Sequence, residues 1–272
     1  MPPSATALRL KIEHALQHRF PAALTPAPRT IREVATTGIP AIDTLLEGGL
    51  PVGAISELTG PESSGRTSLA LAFVALRTAE EKVCAWVDGG DALDPESAAA
   101  SGVDLRRLLW VRCRNLPAQE RAAAAAKFPA SKNRQATRPW AQLDQALRAT
   151  DLLLQAGGFA AIVVDLGCIA AEDGRRIPLA TWFRFRQAAD RTRCSLLVLG
   201  KAAYAQSSAA VVLEFAPLHA KTAGETVLRG FTFETRRERV RVTTSAPITN
   251  GARKPAAATW SASAAWQAEK RA

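Results

Sequence analysis

No apolar run in this 272-residue sequence is long enough to cross a bilayer. The longest, Leu69 to Leu76, falls well short of the roughly 20 residues a spanning helix needs. The first thirty residues lack a secretory apolar segment, so the expected setting is cytoplasmic, with no membrane partner. Cysteine is sparse and never clustered. Cys84, Cys113, Cys168 and Cys194 stand singly in or beside apolar stretches, without a C-x-x-C pair, which favours buried, reduced thiols over a metal site or disulfide. Only three histidines occur. His14 and His18 have a spacing that can offer two imidazoles to one metal, but Ala15 stands where H-E-x-x-H carries glutamate and no third ligand is near. Solvated histidines on a helix face are therefore expected, with no structural metal. Acidic residues are also in deficit: 25 against 35 Lys and Arg, a formal net charge of +10. That balance favours an acidic partner, with nucleic acid the natural candidate. A merely well-solvated Arg-rich surface is the alternative.

Apolar residues, by contrast, make up 47% of the chain, ample for a core. Leu8, Ile12 and Leu16 recur every fourth residue, which predicts a short amphipathic helix over 7–19. A proline-punctuated linker follows, so residues 1–30 read as helix plus linker. Beyond them strands are expected at 53–59, 83–88, 108–112, 160–166 and 194–200, and helices at 67–80, 95–101, 139–156 and 178–190. Such alternation implies right-handed βαβ units and a mostly parallel twisted sheet flanked by helices, an α/β fold. Val211 to Phe215 and then Glu225 to Val242 read as antiparallel hairpin strands closing one edge. The core domain is expected over 31–245. Residues 115–138, rich in Ala, Arg and Lys, read as a surface insertion, and 246–272 as a disordered tail in which Trp260 and Trp266 leave room for a docking motif.

The chemistry-bearing motif is Gly60-Pro61-Glu62-Ser63-Ser64-Gly65-Arg66-Thr67. It is the phosphate-loop pattern G-x-x-x-x-G-K-[ST] with arginine in place of lysine. The glycines let backbone N–H groups point at phosphate oxygens, the lysine reaches the terminal phosphates, and the Ser/Thr hydroxyl holds Mg²⁺. An expected strand before the loop and an expected helix after it put a helix N-terminus under the anion. The nucleotide-binding candidates are Gly60 through Ser68, and Mg²⁺ coordination falls to Thr67 and Asp165. Ala161-Ile162-Val163-Val164-Asp165 supplies the second carboxylate as an apolar strand ending in aspartate. Arginine is not interchangeable with lysine here, so ATP or ADP binding and hydrolysis become separate questions.

Together with Thr37-Gly38-Ile39-Pro40-Ala41-Ile42-Asp43, Gly48-Gly49-Leu50-Pro51-Val52-Gly53, Asp88, Ala92-Leu93-Asp94-Pro95 and Gly102-Val103-Asp104, the loop resembles the core of bacterial RecA recombinases. The likeness spans about residues 1 to 243 and is strongest up to 110. The short chain, the divergent second half and the Trp140 to Gly158 phrase are similar to a smaller branch, the ImuA-type proteins. These partner ImuB and an error-prone polymerase in translesion synthesis. The resemblance implies a RecA-like phosphate-loop NTPase core, but with departures. Gly90 stands where RecA carries its water-activating glutamate, with Asp91 beside it as the sole, displaced catalytic candidate. The γ-phosphate-sensing glutamine is missing at Ala202, and both DNA-binding loops are shortened.

Arg175, Arg176, Arg184 and Lys201, near those shortened loops, are candidates for a DNA or partner surface working through phosphates alone. Leu179, Trp182 and Phe183 are expected on the buried face of their helix. The expected function is a RecA-like accessory factor in SOS DNA repair and translesion synthesis. It would have a degenerate ATPase site and dock on RecA or an ImuB-like polymerase-family partner, with single-stranded DNA and self-association left open. The rival is an active DNA-dependent ATPase and recombinase of the RecA family, which would tolerate Arg66.

Overall fold

The computed structural model describes residues 33–113, 138–223, 227–240 and 256–263, all within the unit Arg32–Ala272. The expected helix at 7–19 lies outside them, as does nearly all of the insertion expected at 115–138. The elements in chain order begin with β1 (Val34–Ala35), α1 (Pro40–Leu45), β2 (Leu50–Pro51), β3 (Ile55–Thr59), α2 (Arg66–Ala79), β4 (Cys84–Asp88), α3 (Pro95–Ala100) and β5 (Leu108–Arg112). They continue with α4 (Arg138–Ala156), β6 (Ala161–Asp165), α5 (Ala171–Arg175), α6 (Leu179–Thr192), β7 (Ser195–Gly200), β8 (Ala209–Phe215), β9 (His219–Ala223), β10 (Val227–Val240) and β11 (Ala257–Ser263).

The main sheet runs β11-β10-β8-β3-β7-β6-β4-β5, with β9 also on β10. From β8 to β5 all neighbours are parallel. Strands covered on both faces need apolar residues at nearly every position rather than in alternation, and Cys84-Ala85-Trp86-Val87, Ala161-Ile162-Val163-Val164 and Leu196-Leu197-Val198-Leu199 meet that demand, all buried. One face of the sheet carries α2 through Leu69, Phe73 and Val74, packed with Trp86, Val163 and Leu199. The other carries α4 and α6 through Leu143, Ala146, Trp182 and Phe185. This three-layer α/β arrangement puts the C-terminal ends of the parallel strands, where open sheets of this kind bind ligands, around the loop that follows β3.

The antiparallel pairing expected from Val211 onward forms: β8 pairs antiparallel with β10, and on its other side joins the parallel sheet through β3. Two expectations change. On α6 the buried aromatics are Trp182 and Phe185, three apart, meeting edge to face with centroids 5.9 Å apart. Leu179 and Phe183 are exposed, so the buried stripe is rotated from the one expected. The tail expected to be disordered supplies β11, which pairs with β10 from Gly230↔Ser263 to Arg236↔Ala257. Trp260 explains this. Its ring stacks on Phe233 at 4.2 Å, its Nε1–H donates to Thr235 Oγ1 at 2.9 Å, and it is 8% exposed. A composition that reads as disorder is overruled by one large side chain with a socket and a hydrogen-bond acceptor. Trp260→Ala is expected to cost about 3 kcal/mol of stability, measurable as a lowered urea midpoint with an unchanged slope.

Candidate functional site

The loop after β3 begins at Gly60, whose N–H donates to the Gly200 carbonyl at 3.2 Å, and turns into α2 at Gly65. Gly65 has φ +93°, and a Cβ there would stand 2.5 Å from the Phe233 ring. Only glycine satisfies both the left-handed backbone and that close approach. The β10 strand thus buttresses the loop from behind. Ser64 is buried and its Oγ has no partner among the described residues, whereas Thr67 and Ser68, in the first turn of α2, are exposed.

Arg66 is 8% exposed. Its Nη1 donates to the carbonyl of Gly200 at the end of β7, beneath the loop. Burial pushes its pKa down, and Asp165 opposes that shift. The two groups converge on Gly167, where an added Cβ would stand 3.1 Å from Asp165 Oδ1 and 3.7 Å from Arg66 Nη2. Burial raises the Asp165 carboxyl above the usual aspartate value, against the Gly167 N–H that donates to it at 2.9 Å. One of the five N–H donors of the side chain at the lysine position is therefore taken by the protein's own backbone.

Gly90 and Asp91 follow β4. The buried Asp88 gathers this turn, accepting from the N–H groups of Gly90 (3.2 Å), Ala92 (3.0 Å) and Leu93 (2.8 Å) and from Trp110 Nε1 (3.2 Å). A Cβ on Gly90 would stand 2.9 Å from Cys168 Cβ and 3.1 Å from its Sγ, so the ground a glutamate would need is occupied. Asp91 gives both carboxylate oxygens to Arg112, at 2.5 and 2.8 Å, and Arg112 in turn lies over the Trp110 ring. A carboxylate so engaged is a poor general base, which removes the physical basis for a catalytic Asp91. Cys168, expected to be buried, is exposed; the other three thiols are buried.

The basic candidates separate. Lys201 sits at the loop, its Nζ 3.1 Å from Glu62 Oε1. Arg175 and Arg176 end α5, where Gly174 packs so tightly on Tyr204 that a Cβ would come within 2.4 Å of the ring. Arg176 pairs with Asp173, and Arg175 has no ion-pair partner among the described residues. Arg184 instead ties α6 to α4 through Asp151 at 3.0 Å, which is an architectural role.

Sequence reading missed Glu57. It lies buried in β3, and its Oε1 accepts from Tyr204 N (2.6 Å) and Ala205 N (2.8 Å), while Oε2 has no partner among the described residues. It fixes the segment 201–205 that carries Lys201. A charged residue between Ile55 and Leu58, in a strand expected inside the sheet, was the available signal. Tyr204 was missed too; it is buried and its hydroxyl lacks a partner among the described residues. Among the described residues no three His, Cys, Asp or Glu side chains converge as a metal cage. Of the pair expected for Mg²⁺, Thr67 is exposed in the first turn of α2 and Asp165 ends β6. Among the described residues no helix is long and apolar enough to cross a membrane.

Residues 12–118 match the family model described as the RecA N-terminal domain. Over 86 residues the chain is 46% identical to Protein RecA of Crocosphaera subtropica, covering 32% of this chain and 25% of that protein. It is 45% identical over 86 residues to Protein RecA of Trichormus variabilis, covering 32% and 24%. The matched stretch thus spans about a quarter of the length of these relatives. A solved structure titled "Crystal structure of the RadB recombinase" aligns with 78% of this chain and 91% of its own at 17% identity, TM-score 0.47. Over the matched stretch the chain is similar to RecA.

Two outcomes follow from this geometry. Gly90→Glu is expected to lose about 1–3 kcal/mol of stability through the clash with Cys168, seen in chemical denaturation, and to gain no ATP turnover. Burial raises the Glu57 pKa from its ordinary 4.5, opposed by the two N–H donors. Between 4.5 and the raised folded value the folded state holds a proton that the unfolded state has lost, so this group's contribution to stability is full below 4.5 and falls as pH rises through the window. Glu57→Gln removes this contribution. Its melting temperature relative to wild type should rise from pH 4 to pH 7 in paired melts.

Proposed function

We propose that this chain is a RecA-like accessory protein of the ImuA type, acting in SOS DNA repair and translesion synthesis. It docks on RecA or on an ImuB-like polymerase-family partner in the cytoplasm, with single-stranded DNA close by. The loop retains ATP or ADP with Mg²⁺ through its backbone N–H groups, Thr67 and Asp165, while the hydrolytic cycle has been lost. One observation carries this reading: Arg66 is committed to the Gly200 carbonyl beneath the loop. Supporting it, Cys168 fills the ground a glutamate at Gly90 would need, and Arg112 engages Asp91. A RecA-like core without a positioned base or free Walker cation suits recognition better than turnover. Its excess of positive charge suits work beside nucleic acid.

The test is capture of purified RecA and of a purified ImuB-like protein by the immobilised full chain, run with and without single-stranded DNA. Saturable capture of either partner is expected. Failure to capture both, together with self-assembly into DNA-bound filaments by the chain alone, contradicts the proposal.

A further inference from the structure

Two cations belong to this loop, and their circumstances are opposite. Arg66 is buried and hydrogen-bonded to Gly200 O. Lys201, the next residue in the chain, is 38% exposed and reaches the loop from outside, with its ammonium on Glu62 Oε1 at 3.1 Å. Glu62 is 79% exposed, so this ion pair is weakly held. A lysine is a compact charge on a flexible four-carbon stem, able to move from a carboxylate to a phosphate oxygen without backbone motion. The base of that stem is fixed, because Glu57 anchors Tyr204 and Ala205 and β7 anchors Gly200. Inside the same loop Ser64 Oγ is buried and has no partner among the described residues, a polar group whose hydrogen bond an incoming oxygen would satisfy.

We propose that Lys201, rather than Arg66, is the cation a nucleoside polyphosphate engages at this loop, and that Glu62 is an internal competitor the phosphate displaces. This rests on the reading that the loop has kept nucleotide binding. The arrangement explains how a loop whose Walker-position side chain bonds its own backbone can still neutralise a polyanion. It also makes occupancy depend on breaking a Lys–Glu pair at the loop rim.

The test is titration of a fluorescent ATP analogue with Mg²⁺ into the full-length wild type, Lys201→Gln, Glu62→Gln and the double variant, with thermal melts as folding controls. Both side chains are exposed, so the variants are expected to melt like wild type. Lys201→Gln should weaken binding about tenfold, the loss of one charge-assisted hydrogen bond. Glu62→Gln should tighten it, and that gain should vanish when Lys201 is also replaced. If the pair is only a clasp, the two single variants shift affinity in the same direction, which overturns the inference and leaves nucleotide binding intact. An unchanged affinity in Lys201→Gln overturns it equally. No binding by wild type overturns the nucleotide reading and this inference with it. A parallel titration with a single-stranded oligonucleotide distinguishes the other source of phosphate: loss there alone on Lys201→Gln would assign the lysine to nucleic acid and overturn the nucleotide assignment.

Discussion

The Gly200 carbonyl is the point on which the loop end of this molecule depends. It ends β7, beside the central strand β3, and accepts from two parts of the phosphate loop: the Gly60 N–H where the loop starts and the Arg66 guanidinium where α2 begins. Arg66 is buried, so losing that acceptor would leave its guanidinium with only longer-range attraction, chiefly from Asp165, to offset the cost of desolvation. The loop, β7 and the segment that follows β7 are thus locked together by one oxygen. In the lysine form of the motif the equivalent charge serves the phosphates. Here it serves the protein.

From that constraint the surrounding assignments follow. Glu57 holds Tyr204 and Ala205, Tyr204 fills the space between Gly174 and Gly200, and Glu62 meets Lys201 above. Phe233 presses on Gly65 from the antiparallel side and is itself stacked by Trp260 of the last strand. The C-terminal segment therefore reaches the loop through two aromatic rings. On the far side of Asp165, Cys168 occupies the approach to Gly90. Each contact is ordinary packing, yet together they surround a phosphate-loop geometry with groups that hold it rather than groups that turn it over.

The fold was legible because its signals are local and redundant. Parallel strands buried on both faces declare themselves as apolar runs, and the strands and helices expected through the body fall within a few residues of those observed. The last strand escaped because its segment is rich in Ala and Ser, and what orders it is a contact between Trp260 and Phe233, distant in sequence. The α6 stripe was misread because Trp182 and Phe183 are adjacent, and side-chain direction decides which of the two enters the core. In the site, the loop and Asp165 could be read from motifs alone. The roles of Gly200, Glu57 and Cys168 could not, since each is defined by a partner on another strand or loop. Arg66 was visible as a substitution; its hydrogen-bond partner was not.

The proposed function requires a phosphate loop that keeps its shape without a hydrolytic cycle. The most direct measurement is steady-state ATP turnover by the purified full-length chain with Mg²⁺, with and without single-stranded DNA. The account predicts no turnover above background and no stimulation by DNA. Turnover that rises with added single-stranded DNA and saturates with ATP would contradict it.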